Sequence, residues 1–388
     1  MYCIHHLLRP VSLALALALA VPVLAADKQR IDKAADIPRF SYAIVDPLEN
    51  VVRDKAIFVR VTQPIRTDMA GNYDAALAGA EAVRALEEKP ADKLLSGLRL
   101  RAMVAAARQT GGINSPAYFD AVSKNIRKEL DALPFEVIAN DIKNYKASAE
   151  LMGEGRIIGN VRDVLQATLN KTGALSSDFT PGLISARYAL ETALPLKQTL
   201  ATTYTAYLDQ HKVDKADIWA ARDVKLPETG PYKTVNVAVW DSGVDTSLFS
   251  RQLVTDSKGK PALIAFDLDS RATKGELFPI PAALQPKLPE MLERTKGLSD
   301  LTSNIDSPEA SEVKIFMSGL KPEDFKVAME QLGLAANYVH GTHVAGITLN
   351  GNPWARLVTA RISFDYKLQP DPCPSMALAK RGAIAHQA

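Results

Sequence analysis

Cysteine is scarce in this chain of 388 residues: there are two, at positions 3 and 373. Cys3 falls in an amino-terminal segment that reads as an export signal, so its removal leaves a single thiol. That excludes an internal disulfide framework, and the fold must stand on packing. A surplus of either charge is missing too. The 46 Lys and Arg residues against 44 Asp and Glu leave a formal net charge of +2, so the chain has no electrostatic signature for nucleic acid or an anionic membrane. Long apolar runs are also lacking. The longest apolar stretch, residues 11–24 (VSLALALALAVPVL), falls short of the ~20 residues a spanning helix needs. No strict internal repeat is present, and no low-complexity segment outside this stretch. What remains is an apolar content of 47%, enough for a core, and a length that suits two ordinary domains or one large domain with an extension.

The amino terminus reads as a secretion signal. A short, weakly basic stretch (His5, His6, Arg9) precedes the apolar run, and Val23-Leu24-Ala25 ends it with small residues at the cleavage positions. Cleavage is expected after Ala25 or one residue later, giving a secreted or periplasmic protein with no stable membrane anchor. A retained anchor is the alternative that the run's length disfavours. No cysteine follows the run, which argues against a lipoprotein.

Residues 42–46 (YAIVD) and 56–63 (AIFVRVTQ) are β-branched runs bounded by Pro and Asp, which predicts strands. From Tyr73 to His211 the period becomes helical. Phe119, Val122, Ile126, Leu130 and Leu133 fall on one helix face, and Ile158, Val161, Leu165 and Leu169 repeat the pattern. Such stripes are most simply core. Breaks are expected at Gly111-Gly112, Pro134, Gly173 and Pro181-Gly182. After a connector at residues 226–231 (LPETGP), strand-like runs occur at 234–240 (TVNVAVW), 262–268 (ALIAFDL) and 355–363 (ARLVTARIS). The first is continuous enough to predict a buried parallel strand. A charged helical stretch, residues 281–334, separates the second run from the third. Strands alternating with helices predict an α/β fold with a parallel sheet behind a mostly helical amino-terminal region. The expected divisions are 1–25 (signal), 26–225 (helical region) and 226–388, with a helical insertion at about 271–331.

Two short motifs carry the chemistry. Residues 238–249 (AVWDSGVDTSLF) put Asp241 at the carboxyl end of a predicted strand, where open α/β sheets place functional groups. Ser242 and Gly243 supply the turn out of it, and glycine accepts a positive φ there without a steric penalty. Residues 337–348 (NYVHGTHVAGIT) hold His340 and His343, three apart. Taken alone, Asp241 could be simple turn chemistry, and the histidines a metal pair or two satisfied core imidazoles. The metal reading lacks an intervening glutamate and any HExxH pattern.

Together, VAVWDSGVD followed by HGTHVAGI resembles the regions around the catalytic aspartate and histidine of the subtilisin-like (subtilase) serine peptidases, in that family's order. The separation is 99 residues (340 − 241), longer than in compact members, and the insertion accounts for the excess. The resemblance covers residues 234 to about 366. It implies a doubly wound parallel sheet, incomplete here, and an endopeptidase acting on protein or peptide substrates. Asp241 would orient the imidazole of His340, which would act as general base toward a serine. His340 is expected at the start of a helix, with Gly341 allowing close approach and His343 buried one turn further in. Ser242, Gly243, Gly341 and His343 are thus structural neighbours of the site. The resemblance requires no cofactor. Calcium is frequent in the family, but no ligand set here places it.

The family's Gly-Thr-Ser-Met-Ala context for the nucleophile does not occur, nor does its oxyanion asparagine. Ser375-Met376-Ala377 repeats three letters of it, but Cys373-Pro374 stand where Gly-Thr would, and the serine comes too early. The nucleophile is therefore expected to be missing from this chain, which would be a fragment inactive as written. His386 and Cys373 are read as incidental. The helical region does not resemble the family's compact propeptide. Its position alone raises the idea of a chaperone or inhibitor for the peptidase part. The competing reading is a non-catalytic secreted helical binding protein with a vestigial peptidase segment.

Overall fold

The computed structural model describes residues 71–172, 180–213, 216–218, 220–273, 278–362, 365–369 and 375–385. The expected signal peptide and the two early strands lie outside them. The first part is helical, as the 3.6-residue period requires: α1 (Tyr73–Arg84), α2 (Pro90–Leu95), α3 (Leu98–Thr110), α4 (Pro116–Asp131) and α5 (Phe135–Glu150). Then α6 (Glu154–Asn160) runs through a π-helical segment (Val161–Gln166) into α7 (Ala167–Thr172). After α8 (Thr180–Tyr188) and a second π-helical segment (Ala189–Ala193), α9 (Lys197–Gln210) closes the block.

Helix α4 shows the local logic. The Ser115 hydroxyl accepts the Tyr118 N–H, and Pro116 occupies the first turn. The cap satisfies an orphan donor and the proline presets φ, so both favour a helix start here. Val122, Ile126 and Leu130 are 0% exposed, and each such side chain contributes roughly 1.5–3 kcal/mol of burial. Phe119 and Leu133 pack against the same core from its margin. Gly111, at φ 72°, ends α3, and Pro134 sits at the cap of α5. Pro181-Gly182, expected to break a helix, instead lie in the first turn of α8, where proline's missing N–H has no partner to lose. Gly173 lies outside the described residues.

Among the described residues the sheet has three parallel strands in the order β1-β3-β2: β1 (Val235–Asp241), β2 (Leu263–Ala265) and β3 (Ala355–Arg361). The second predicted run is strand over three residues only. The expectation that the first run is a buried strand is corrected. In β1 only Val239 is buried, and Trp240 is 61% exposed. The central position belongs to β3, in which Ala355, Leu357, Thr359 and Arg361 are all buried.

The insertion forms α10 (Leu288–Ser303) and α11 (Pro308–Ser318), followed by α12 (Phe325–Leu349). It does not stand apart from the amino-terminal block. Ala147 and Leu151, at the end of α5, share a core with Leu301, Val313, Met317 and Leu332. Buried Lys146 donates to Asn304 Oδ1 at 2.8 Å. Glycines in α6 let backbones meet: a Cβ on Gly155 would lie 1.9 Å from the Leu320 carbonyl oxygen, and one on Gly159 2.3 Å from Phe325 Cβ. The packing boundary therefore does not follow the division expected at residue 225. Helix α12 spans two cores. Its amino-terminal half is buried with the helical block through Leu332, and its carboxyl-terminal half packs Ala345 and Leu349 against Val239 and Leu357 of the sheet. A last helix, α13 (Met376–Ala385), follows β3. Among the described residues, no helix is long and apolar enough to cross a membrane.

Candidate catalytic couple

Asp241 ends β1. Its carbonyl accepts the Ile362 N–H at 2.9 Å, which ties the strand end to β3. The chain then turns sharply, with Gly243 at φ 119°, a value that L side chains rarely adopt. His340 approaches from α12. The structure places it fifteen residues inside that helix (340 − 325), which corrects the expected position at a helix start. The stretch between Phe325 and His340 contains no proline, so nothing stops the helix from running on through the histidines.

The two side chains meet. His340 Nδ1 lies 2.7 Å from Asp241 Oδ1, and the Ser242 N–H donates to the same oxygen at 2.6 Å. A carboxylate only accepts, so this contact puts the imidazole proton on Nδ1 and leaves the Nε2 lone pair available. The Asp241 side chain is 18% exposed and that of His340 62%, so the acceptor is sheltered while the imidazole reaches solvent. Burial pushes the Asp241 carboxyl up. The Ser242 N–H, the hydrogen bond and charge of His340, and the Ser242 hydroxyl outweigh it and hold the carboxyl below the ordinary carboxylate value.

Three further contacts join the β1 exit turn to α12. The Gly341 N–H donates to Ser242 Oγ at 2.9 Å. The Asp245 N–H donates to Thr342 Oγ1 at 3.0 Å. Between them the backbones touch: a Cβ on Gly341 would lie 2.2 Å from the Gly243 carbonyl oxygen. The expected closeness at Gly341 thus serves the helix–turn contact. Thr342 is invisible to a sequence reading because a threonine inside a helical period carries no signal of its own; its place between the two histidines is the only pointer.

The expectation that His343 is buried is corrected. It is exposed, because at i+3 it shares the solvent-facing side of α12 with His340, while Ala345, two positions on, enters the sheet core. His343 lines a cavity of about 960 Å³ with Asp245, Lys260, Leu334 and Arg361, at the carboxyl ends of the strands. Ser375 is not brought to the couple. Its hydroxyl accepts the Leu378 N–H at 3.1 Å at the start of α13, a helix tied to the loop after β2 by Arg381 Nε donating to the Asp269 carbonyl at 3.1 Å. Cys373 and His386 lie outside the described residues. Among the described residues, no three His, Cys, Asp or Glu side chains converge as a metal site. Compared with family models, curated proteins and solved structures, the chain finds no match.

Proposed function

We propose that this chain carries the carboxylate–imidazole half of a subtilisin-like serine peptidase site, in a protein exported by its amino-terminal signal and acting on protein or peptide substrates. One observation supports the reading above the others: the 2.7 Å contact between Asp241 Oδ1 and His340 Nδ1, made across 99 residues of sequence. In that role Asp241 fixes the Nδ1–H tautomer and stabilises the imidazolium. Nε2 takes a proton from an attacking hydroxyl and returns it to the leaving amine. The three-stranded sheet with α12 on it would be part of the family's doubly wound sheet. Among the described residues no hydroxyl hydrogen-bonds His340, so the couple alone should give negligible peptide hydrolysis.

The couple can be tested on the chain as it stands. Nitrogen-15 NMR of the histidines should show His340 as the Nδ1–H tautomer with a low-field proton, and Asp241→Asn should switch it to the other tautomer. An unprotonated Nδ1 in the parent chain would refute the reading. The peptidase step is tested by treating the full-length gene product with a fluorophosphonate. Labelling that His340→Ala abolishes is expected. No labelling at all would favour the non-catalytic alternative.

A further inference from the structure

The exit turn of β1 packs on α12 through the Gly243 backbone and Val244, and it makes polar contacts with that helix at both ends. At its start, Asp241 is fixed by the β3 ladder, and Ser242 Oγ accepts the Gly341 N–H. At its end, Asp245 is held by a single side chain of α12, through the 3.0 Å bond from its N–H to Thr342 Oγ1. Asp245 in turn caps the next short helical turn: its Oδ1 accepts from the Ser247 N–H at 3.0 Å and from the Ser247 hydroxyl at 2.6 Å. Thr342 stands two residues after His340 on the same helix. Its hydroxyl and the imidazole therefore grip opposite ends of one turn, 241 and 245.

We infer that Thr342 is a positioning residue for the couple: its hydroxyl pins the far end of the turn to α12 and so holds the Asp241 carboxylate in line with His340 Nδ1. The inference rests on the proposed role of Asp241 and His340 and extends it to a residue that touches neither. The geometry explains why a second anchor is needed. Asp241 Oδ1 receives both the Ser242 N–H and the imidazole, so any backbone rotation at Ser242 that moves this N–H redirects the carboxylate. Gly243, without a Cβ and at φ 119°, offers that rotation little resistance. Thr342 restrains it from the other side. The bond is solvent-accessible, so water can take over the Asp245 N–H when the hydroxyl is removed, and the fold should survive.

The test compares the full chain with Thr342→Val, which keeps shape and loses the hydroxyl, and Thr342→Ser, which restores it. The readout is the exchange rate of the His340 Nδ1 proton by NMR, with circular dichroism as the check on folding. The parent chain should show the low-field proton. Thr342→Val should exchange it about tenfold faster, the loss of roughly one hydrogen bond's worth of restraint, and Thr342→Ser should recover most of the protection. A folded Thr342→Val chain with unchanged exchange overturns this inference and leaves the couple standing. A Thr342→Val chain that unfolds also overturns it, since the residue would then hold the fold and not the couple. Absence of the proton in the parent chain overturns the couple itself, and the positioning role with it.

Discussion

Gly341→Ala and Gly346→Ala make the same chemical change five residues apart on α12, and the structure gives them opposite signs. In an open helix interior, alanine is favoured over glycine by about 1 kcal/mol. A Cβ on Gly346 meets nothing within 4 Å, so Gly346→Ala should gain most of that. A Cβ on Gly341 meets the Gly243 carbonyl oxygen at 2.2 Å, and Gly243 C and N at 3.0 Å. All three are backbone atoms that no rotamer change can move. Restoring ordinary contact requires the helix and turn to separate by about 1 Å. The Asp241–His340 contact, now 2.7 Å, would then stretch beyond the ~3.2 Å at which such a bond ends. Overpacking costs about 1–3 kcal/mol, the weakened hydrogen bond about 1 kcal/mol more, and the helix gain offsets about 1 kcal/mol. A net loss of about 1–3 kcal/mol results for Gly341→Ala. Urea unfolding monitored by circular dichroism measures both variants, and the His340 Nδ1 proton should vanish only in Gly341→Ala. Equal stabilisation by the two alanines would show that the turn and α12 do not touch, and the geometry of the site would fall with it.

Gly155→Ala should destabilise the chain by at least ~2 kcal/mol in the same assay, because the new Cβ would sit 1.9 Å from the Leu320 carbonyl oxygen and must force α6 away from the insertion; Gly112→Ala, with nothing within 4 Å, is the control that should stay near neutral. Asp241 is held below the ordinary carboxylate value, so its contribution to stability is fully present above its unfolded pKa and is lost as the pH falls through the depressed folded one. Urea midpoints taken from neutral to acid pH should therefore fall less steeply in Asp241→Asn than in the parent chain, and parallel curves would contradict the hydrogen bonding assigned to this carboxylate.

The parts of this molecule that read directly from sequence are those set by local pattern. The stripe from Val122 to Leu130 is 0% exposed at Val122, Ile126 and Leu130, since a 3.6-residue apolar period presents one face to a core. Asp241 and His340 stand out because few other roles place an Asp-Ser-Gly turn after a β-branched run and a His-Gly-Thr-His cluster further on. The misreadings have separate causes, one set by neighbours distant in sequence and two by the local course of a helix. TVNVAVW reads as a buried strand, yet whether a strand is central or at an edge depends on which others pair with it, and here β3 takes the centre. The start of α12 is misplaced when a histidine motif is taken to imply a helix beginning, while no residue between Phe325 and His340 ends the helix. The small neighbours of His343 suggest the core, but only every third or fourth position of a helix faces one surface.

The sharing of α12 between two cores bears on what the helical block can be. At about 1.5 Å per residue, His340 lies roughly 12 Å along the helix from Leu332 and about 7.5 Å from Ala345, so the imidazole is carried on a short span anchored at both ends. The amino-terminal anchor is not made by α12 alone. Leu332 is buried together with Val313 and Met317 against Ala147 and Leu151 of α5, and Lys146 reaches across to Asn304. A chaperone or inhibitor that departs after folding must leave a surface its partner can tolerate in water. Departure of this block would strip Ala147 and Leu151 from the core that buries Val313, now 0% exposed, and Met317, now 2%, and would weaken the packing on the first half of α12. Each such side chain loses about 1.5–3 kcal/mol on exposure, a large share of the roughly 5–15 kcal/mol that holds a domain together. The packing thus argues for a block that stays in place and sets where α12, and with it His340, stands.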